Sequence, residues 1–319
     1  MSVVVPTCNR ADRMVRLIDA LAAQDFGEPF EVVAVDDRSK DDTLQRLQKV
    51  AEAQPFALTV VPSEVNTGPA GARNRGWHLA KGELIAFTDD DCVPDKGWLR
   101  AMVTALDDAD IAVGRTRPPD DQLHKIGPFS TYLDMEHNRT FSTCNIAYRK
   151  AVLQQLDGFD EVNYRYPNGE DTDLGLRALE AHFKDAYAPD ALVWHDVGES
   201  DFKTYFRRIE RLDGLVALAA IHPEAREIMN CGYFLRSIDK VVLIAWAAGL
   251  GLLVRPKSPF RWLCAVGAAL LYAYWFNRAY YRARSTKEWA AAVPRGFVAD
   301  SWTVFVMLRS SARHKTVLL

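Results

Sequence analysis

Residues 84–98 read LIAFTDDDCVPDKGW, so Asp89, Asp90 and Asp91 follow directly on a short apolar run. Three adjacent carboxylates repel one another unless something positive sits among them. No basic residue stands beside them in the chain, and a divalent cation held through oxygen ligands supplies the missing charge. The competing reading is a solvated acidic loop, and the three residues alone do not separate the two. Position adds weight, because carboxylates at the C-terminal edge of a parallel sheet lie where α/β proteins bind ligands.

Other apolar runs end in the same way. VVVPTCNR (3–10) and VVAVDDRSKDDT (32–43) both finish in polar residues. Asp36 and Asp37 are suited to accept hydrogen bonds from a base N–H or a ribose hydroxyl. NTGPAGARNRGW (66–77) offers glycines, a helix start and Arg73, a combination that can meet a phosphate. The four strand ends would then converge on one nucleotide-sized cleft.

The elements that must position these residues are short and regular. SVVV (2–5), EVVAV (31–35), LTVV (58–61) and LIAFT (84–88) read as buried parallel strands, apolar on both faces. Helical stretches separate them. Arg10 to Ala23 puts Met14, Leu17, Ile18 and Leu21 on one face. Asp41, Asp42 and Thr43 offer a cap for a helix to about Ala53, and Pro69 opens a third helix. Farther on, FSTCNIAYRK (141–150) reads as a strand entering a helix. GEDTDLGLRALEAHF (169–183) is a helix with acids in its first turn, and DAYAPDALVWHD (185–196) reads as two short strands around Pro189.

The 319 residues suffice for one large α/β domain and an appendage. Net charge is -3, but residues 201–319 hold 18 Lys and Arg against 8 Asp and Glu. Residues 1–200 hold 21 basic and 34 acidic residues, which argues against nucleic-acid binding there. The basic, aromatic-rich second part suits an anionic surface such as a membrane, or else a solvated helix face. It contains two uncharged runs, Val241–Val254 and Trp262–Phe276, joined by RPKSPFR. Helices of that length rise roughly 21–23 Å, short of a full hydrocarbon core of about 30 Å. FKTYFRRIERLDG (202–214) has the pattern of an interfacial helix or of one packed on the catalytic domain. The five cysteines form no C-x-x-C pair, which disfavours a cysteine zinc site and suits reduced thiols. MSVVVP lacks the features of a signal peptide, so a cytoplasmic location is expected, at the cytoplasmic face of a membrane.

Six motifs in order resemble family 2 glycosyltransferases with the GT-A fold. They are SVVVPTCNR, VVAVDDRSKDDT, NTGPAGARNRG, LIAFTDDDCVP, STCNIAYRKAVLQQLDGFDE and GEDTDLGLRALEAHF, spread over residues 2–196. The resemblance implies a Rossmann-like, mostly parallel sheet flanked by helices in a catalytic domain of residues 1–200. A helical, membrane-associating region of residues 201–319 would follow. It implies a nucleotide diphosphate sugar as donor (UDP-, GDP- or TDP-linked) and a glycan or lipid-linked acceptor. Pro6, Thr7, Asn9, Asp36 and Asp37 would line the nucleoside pocket, with Asn66, Gly68 and Arg73 at its border. Asp89 or Asp90 would face the ribose or sugar. Asp91 and His195 would hold Mg2+ or Mn2+, Asp171 would be the general base, and Glu170 would orient acceptor or sugar.

The expected reaction is inverting transfer to an acceptor hydroxyl. Alternatives are transfer to a polyprenyl phosphate, which needs no base, or a non-catalytic module that binds sugar nucleotide or lipid. Cys8 stands where the family often has an aromatic residue, and no long multi-span channel follows, which disfavours a processive exporter.

Overall fold

A computed structural model describes residues 1–127, 129–136, 139–164, 168–198, 202–229, 231–280 and 286–319. Two compact units divide them. The first comprises Met1–Leu123 and Tyr132–Val197; the second comprises His124–Thr131 and Gly198–Leu319.

The first unit is a three-layer α/β structure. Its strands are β1 (Ser2–Thr7), β2 (Glu31–Asp36), β3 (Ala57–Pro62), β4 (Leu84–Thr88), β5 (Cys92–Pro94), β6 (Ile111–Arg117), β7 (Asn145–Arg149) and β8 (Asp185–His195). Its helices are α1 (Ala11–Ala22), α2 (Thr43–Ala51), α3 (Gly68–Leu79), α4 (Trp98–Ala105), α5 (Lys150–Leu156) and α6 (Glu170–Glu180). The strands form one sheet in the order β3-β2-β1-β4-β7-β6-β8-β5.

The continuous apolar runs are explained by burial on both faces. Val3 and Val5 join Met14, Leu17, Ile18 and Leu21 of α1 on one side. Val4, Val33 and Val35 join Ala70, Ala72 and Trp77 of α3 on the other. Alternate residues of a strand point to opposite faces, so a strand covered twice has no polar position to spare. Gly76 lets α3 approach the sheet: a Cβ there would lie 2.4 Å from Val4 Cγ1.

The half of the sheet holding β3, β2, β1 and β4 is parallel. The other half is mixed, with β7 antiparallel to both β4 and β6, and β5 antiparallel to β8. Pro189 does not divide the last strand into two, as the sequence suggests. β8 runs unbroken, and its register with β6 slips there instead, from Gly114↔Ala188 to Arg115↔Leu192. Proline lacks the N–H that a regular ladder requires, and a bulge absorbs it.

The second unit is helical: α7 (Phe202–Ile209), α8 (Asp213–Ile221), α9 (Ser237–Val254), α10 (Pro259–Tyr280) and α11 (Thr286–His314). Both uncharged runs fall inside helices, α9 and α10. Ile238, Val241 and Val242 pack with Tyr272, Phe276 and Val304. Among the described residues, α9 alone is long and apolar enough to cross a membrane by length and composition. The aromatic side of α7 is not left for a lipid interface: Phe206 stacks on Trp302 at 5.2 Å, and Phe202 meets Phe129 at 5.4 Å. Asp201, where the expected C-terminal region begins, lies outside the described residues.

Candidate active site

The strand ends deliver the expected residues to one edge of the sheet. Thr7 and Asp36 close β1 and β2 side by side, and Asp37 N–H donates to Thr7 O at 2.8 Å. Half-buried Pro6 pairs with Val35 one step earlier. Asn9, in the left-handed region with φ 56°, stitches two loops together. Its N–H donates to Ser39 Oγ at 2.8 Å, and its Oδ1 accepts from Lys40 N–H at 2.7 Å.

Asp37 serves the start of α3. Its carboxylate accepts from Thr67 N–H at 2.8 Å and Gly68 N–H at 2.9 Å, while Asn66 Nδ2 donates to its carbonyl at 2.9 Å. Those donors have no partner inside the helix, and a carboxylate there is favoured by the helix dipole. Asp36 is different. Its Oδ1 is buried and has no hydrogen-bond partner among the described residues. Such an orphan is costly unless a donor reaches it.

Arg73 does not lie open to a phosphate, as its motif suggests. It is 4 % exposed and bridges two acidic segments, donating to Asp89 Oδ1 at 2.8 Å and to Glu170 Oε1 at 3.2 Å. Glu170 is buried too, and its other oxygen accepts from Asn168 N–H at 2.8 Å. Glu170 therefore braces Arg73. Its neighbour Asp171 keeps one carboxylate oxygen on Thr172 N–H at 2.9 Å. Desolvation, reinforced by the adjacent Glu170 carboxylate, pushes the Asp171 carboxyl up to about 7.

Asp90 turns inward, accepting from Thr7 Oγ1 at 2.8 Å and from Arg10 Nη1 at 2.6 Å. Burial raises its carboxyl to about 6, against the pull of Arg10. Asp91 is reached from two sides. Its Oδ2 accepts from Arg10 at 2.8 Å and Arg13 at 3.2 Å, while its Oδ1 faces His195 Nε2 at 3.4 Å. The antiparallel pairing of Cys92 with His195 brings these last two together.

The residues at this corner suit a divalent cation. His195 Nδ1 lies 2.9 Å from Asp196 O, a contact that requires the proton on Nδ1. In the neutral ring Nε2 then offers its lone pair on the side of Asp91, and a carbonyl orients the ring as in metal sites generally. Ligand atoms about 2.1 Å from an ion lie about 3 Å from each other, close to the observed gap. Cys92 lies in the same cluster, where burial and its neighbour Cys144 raise its thiol well above the usual range.

Four residues at the site are given no role by the sequence, although Arg10 and Asp196 end quoted segments. Arg10, Arg13 and Arg16 line one side of the first helix and its approach, and Asp196 receives Arg16 and lies 3.9 Å from Arg13. Their three-residue spacing was the available signal, because i, i+3 positions share a helix face.

A GT-A glycosyltransferase fold is what this mixed sheet, with its acidic strand end and helical C-terminal part, amounts to. A mannosyltransferase from Pyrobaculum calidifontis, solved in complex with GDP-Man and Mn2+, superposes over 95% of this chain and 86% of its own, with a TM-score of 0.62 and 21% identity. The chain belongs to glycosyl transferase family 2, whose model matches residues 2–161. Curated relatives include the pre-mycofactocin glycosyltransferase of Mycobacterium tuberculosis (strain CDC 1551 / Oshkosh), 27% identical over 70% of this chain and 48% of that protein. Another is the amylovoran biosynthesis glycosyltransferase AmsB of Erwinia amylovora, 37% identical over 57% of this chain and 65% of that protein. The chain thus spans about half the length of the first relative and about two thirds of the second.

Proposed function

We propose that this protein transfers a sugar from a nucleotide diphosphate sugar to an acceptor hydroxyl, with inversion at the anomeric carbon. The observation that carries the reading is the bridge Asp89–Arg73–Glu170, which brings the Asp171 helix to the strand-end aspartates. A donor's leaving group and an acceptor's hydroxyl can then meet in one place.

Each residue has a task in this reading. The unpartnered Asp36 oxygen receives a donor from the nucleoside, beside Pro6, Thr7 and Asn9. Asp91 and His195 hold Mg2+ or Mn2+, which when bound offsets the negative charge growing on the departing nucleoside diphosphate. Asp171 takes the proton from the attacking hydroxyl, a task suited to a carboxyl titrating near neutrality. Arg73 and Glu170 keep Asp89 and Asp171 in register.

The same reading includes a place at the cytoplasmic face of a membrane and a glycan or lipid-linked acceptor. Support comes from α9 and α10, where Leu253, Phe260, Leu263 and Leu270 are exposed beside the basic turn of Arg255, Lys257 and Arg261. Apolar side chains next to cationic ones suit an anionic lipid interface.

A donor screen tests the catalytic reading. Release of nucleoside diphosphate from UDP-, GDP- and TDP-sugars with Mn2+ is followed, with candidate acceptors present and with Asp91→Ala as control. Release from one donor, lost in the control, supports the reading. Release that persists in Asp91→Ala, or binding of a donor with no release under any acceptor, counts against it.

A further inference from the structure

We propose that Arg10 makes cation binding at Asp91 and His195 conditional on the nucleoside diphosphate; the proposal rests on the function argued above. Asp90, Asp91 and Asp196 face Arg10, Arg13 and Arg16, three negative charges against three positive. Asp91 is therefore already compensated by Arg10 and Arg13 before any cation arrives. A divalent ion added alone must displace Arg10 or stand beside both guanidinium groups, where like charges repel. A diphosphate supplies two or more negative charges that receive Arg10, so the two ligands favour one another.

Arg10 is the member able to carry this coupling. It precedes α1 at the end of the β1 loop and donates to both Asp90 and Asp91 through one nitrogen. Its side chain is 40 % exposed, so the guanidinium has open space beside the carboxylates. Guanidinium groups bind carboxylate and phosphate oxygens with the same fork of donors. When the ion takes up the negative charge of Asp91, Arg10 turns to the diphosphate without losing its hydrogen bonds. Arg16, which meets Asp196, stays where it is.

The sequence of binding follows from reciprocity: whatever the diphosphate adds to cation affinity, the cation adds to diphosphate affinity. Arg10 weakens the cation alone and strengthens the pair, so the site stays empty of free metal until a donor is present.

The test measures Mn2+ binding to the full chain by the loss of the free-ion electron paramagnetic resonance signal, without nucleotide. Arg10→Gln should bind Mn2+ roughly tenfold more tightly than wild type, within the usual range of coupling between sites. Arg10→Lys, which keeps the charge, should remain as weak as wild type, and Asp91→Asn in the Arg10→Gln background should abolish the gain. In calorimetry with saturating Mn2+, Arg10→Gln should bind the preferred nucleoside diphosphate among UDP, GDP and TDP roughly tenfold more weakly. Equal or weaker Mn2+ binding by a folded Arg10→Gln overturns the proposal. If wild type binds none of the three nucleotides with Mn2+, the functional reading itself fails, and the two failures are distinct.

Discussion

Asp91 Oδ1 and His195 Nε2 stand 3.4 Å apart because Cys92 and His195 are direct partners across the antiparallel β5–β8 pair. The pairing is reinforced just beyond it, where Asp196 N–H donates to Asp91 O at 2.9 Å. A three-residue strand thus fixes two candidate metal ligands from distant segments of the first unit. Rigid strand ends hold such a constellation better than a loop would.

The bridge through Arg73 makes a separate prediction about stability. Arg73→Gln leaves buried Glu170 and partly buried Asp89 without their counter-charge. Breaking one partner of a buried ion pair costs roughly 3–5 kcal/mol. Urea unfolding should show a loss of unfolding free energy of that size, and donor turnover should fall with it. Unchanged stability would mean that the bridge does not form in solution.

Asp171 sets the expected pH dependence. With its carboxyl raised to about 7, a base at this position is active only above that range, so kcat/KM should climb through pH 7 and then level. Asp171→Asn should lower turnover by about 10²–10⁴-fold with donor binding largely retained. Turnover that survives this change would instead favour an anionic acceptor such as a polyprenyl phosphate, which has no proton to lose. The stability effect has the opposite sense. The folded state keeps a proton that the unfolded chain releases near 3.8, so the contribution of Asp171 is present at low pH and is lost as pH rises through about 7. Denaturation of Asp171→Asn should lack that decline.

Membrane association is tested on the exposed side of α9 and α10. The full chain should float with vesicles containing an anionic lipid, and less so at high salt. A Phe260→Ser, Leu263→Ser double variant should stay behind while its melting temperature is kept, because both side chains are exposed. Flotation equal to wild type would assign the contact to another surface.

The strands of the first unit were readable because a strand covered on both faces needs an unbroken β-branched run, as in Val3–Val5 and Val32–Val35. The helix faces were readable from Met14, Leu17, Ile18 and Leu21 for the same reason. What stayed hidden depends on pairing between distant segments. Nothing local in CVP marks it as a strand, and its partner is fixed only by the sheet. Nothing local marks Arg10, Arg13 and Arg16 as partners of Asp90, Asp91 and Asp196, which they meet only through the fold. Arg73 showed the right charge for a phosphate, but its helix aims it at Asp89 and Glu170. The aromatic side of α7 suited a lipid surface equally well until Trp302 was found against it.

The most direct test of the central claim is where the cation sits. Crystals soaked with Mn2+ and the preferred nucleoside diphosphate would be measured at the manganese absorption edge. The account predicts one anomalous peak within about 2.2 Å of Asp91 and of His195 Nε2, next to the diphosphate. A bound nucleotide with the manganese peak elsewhere, or with none while turnover requires Mn2+, would contradict it.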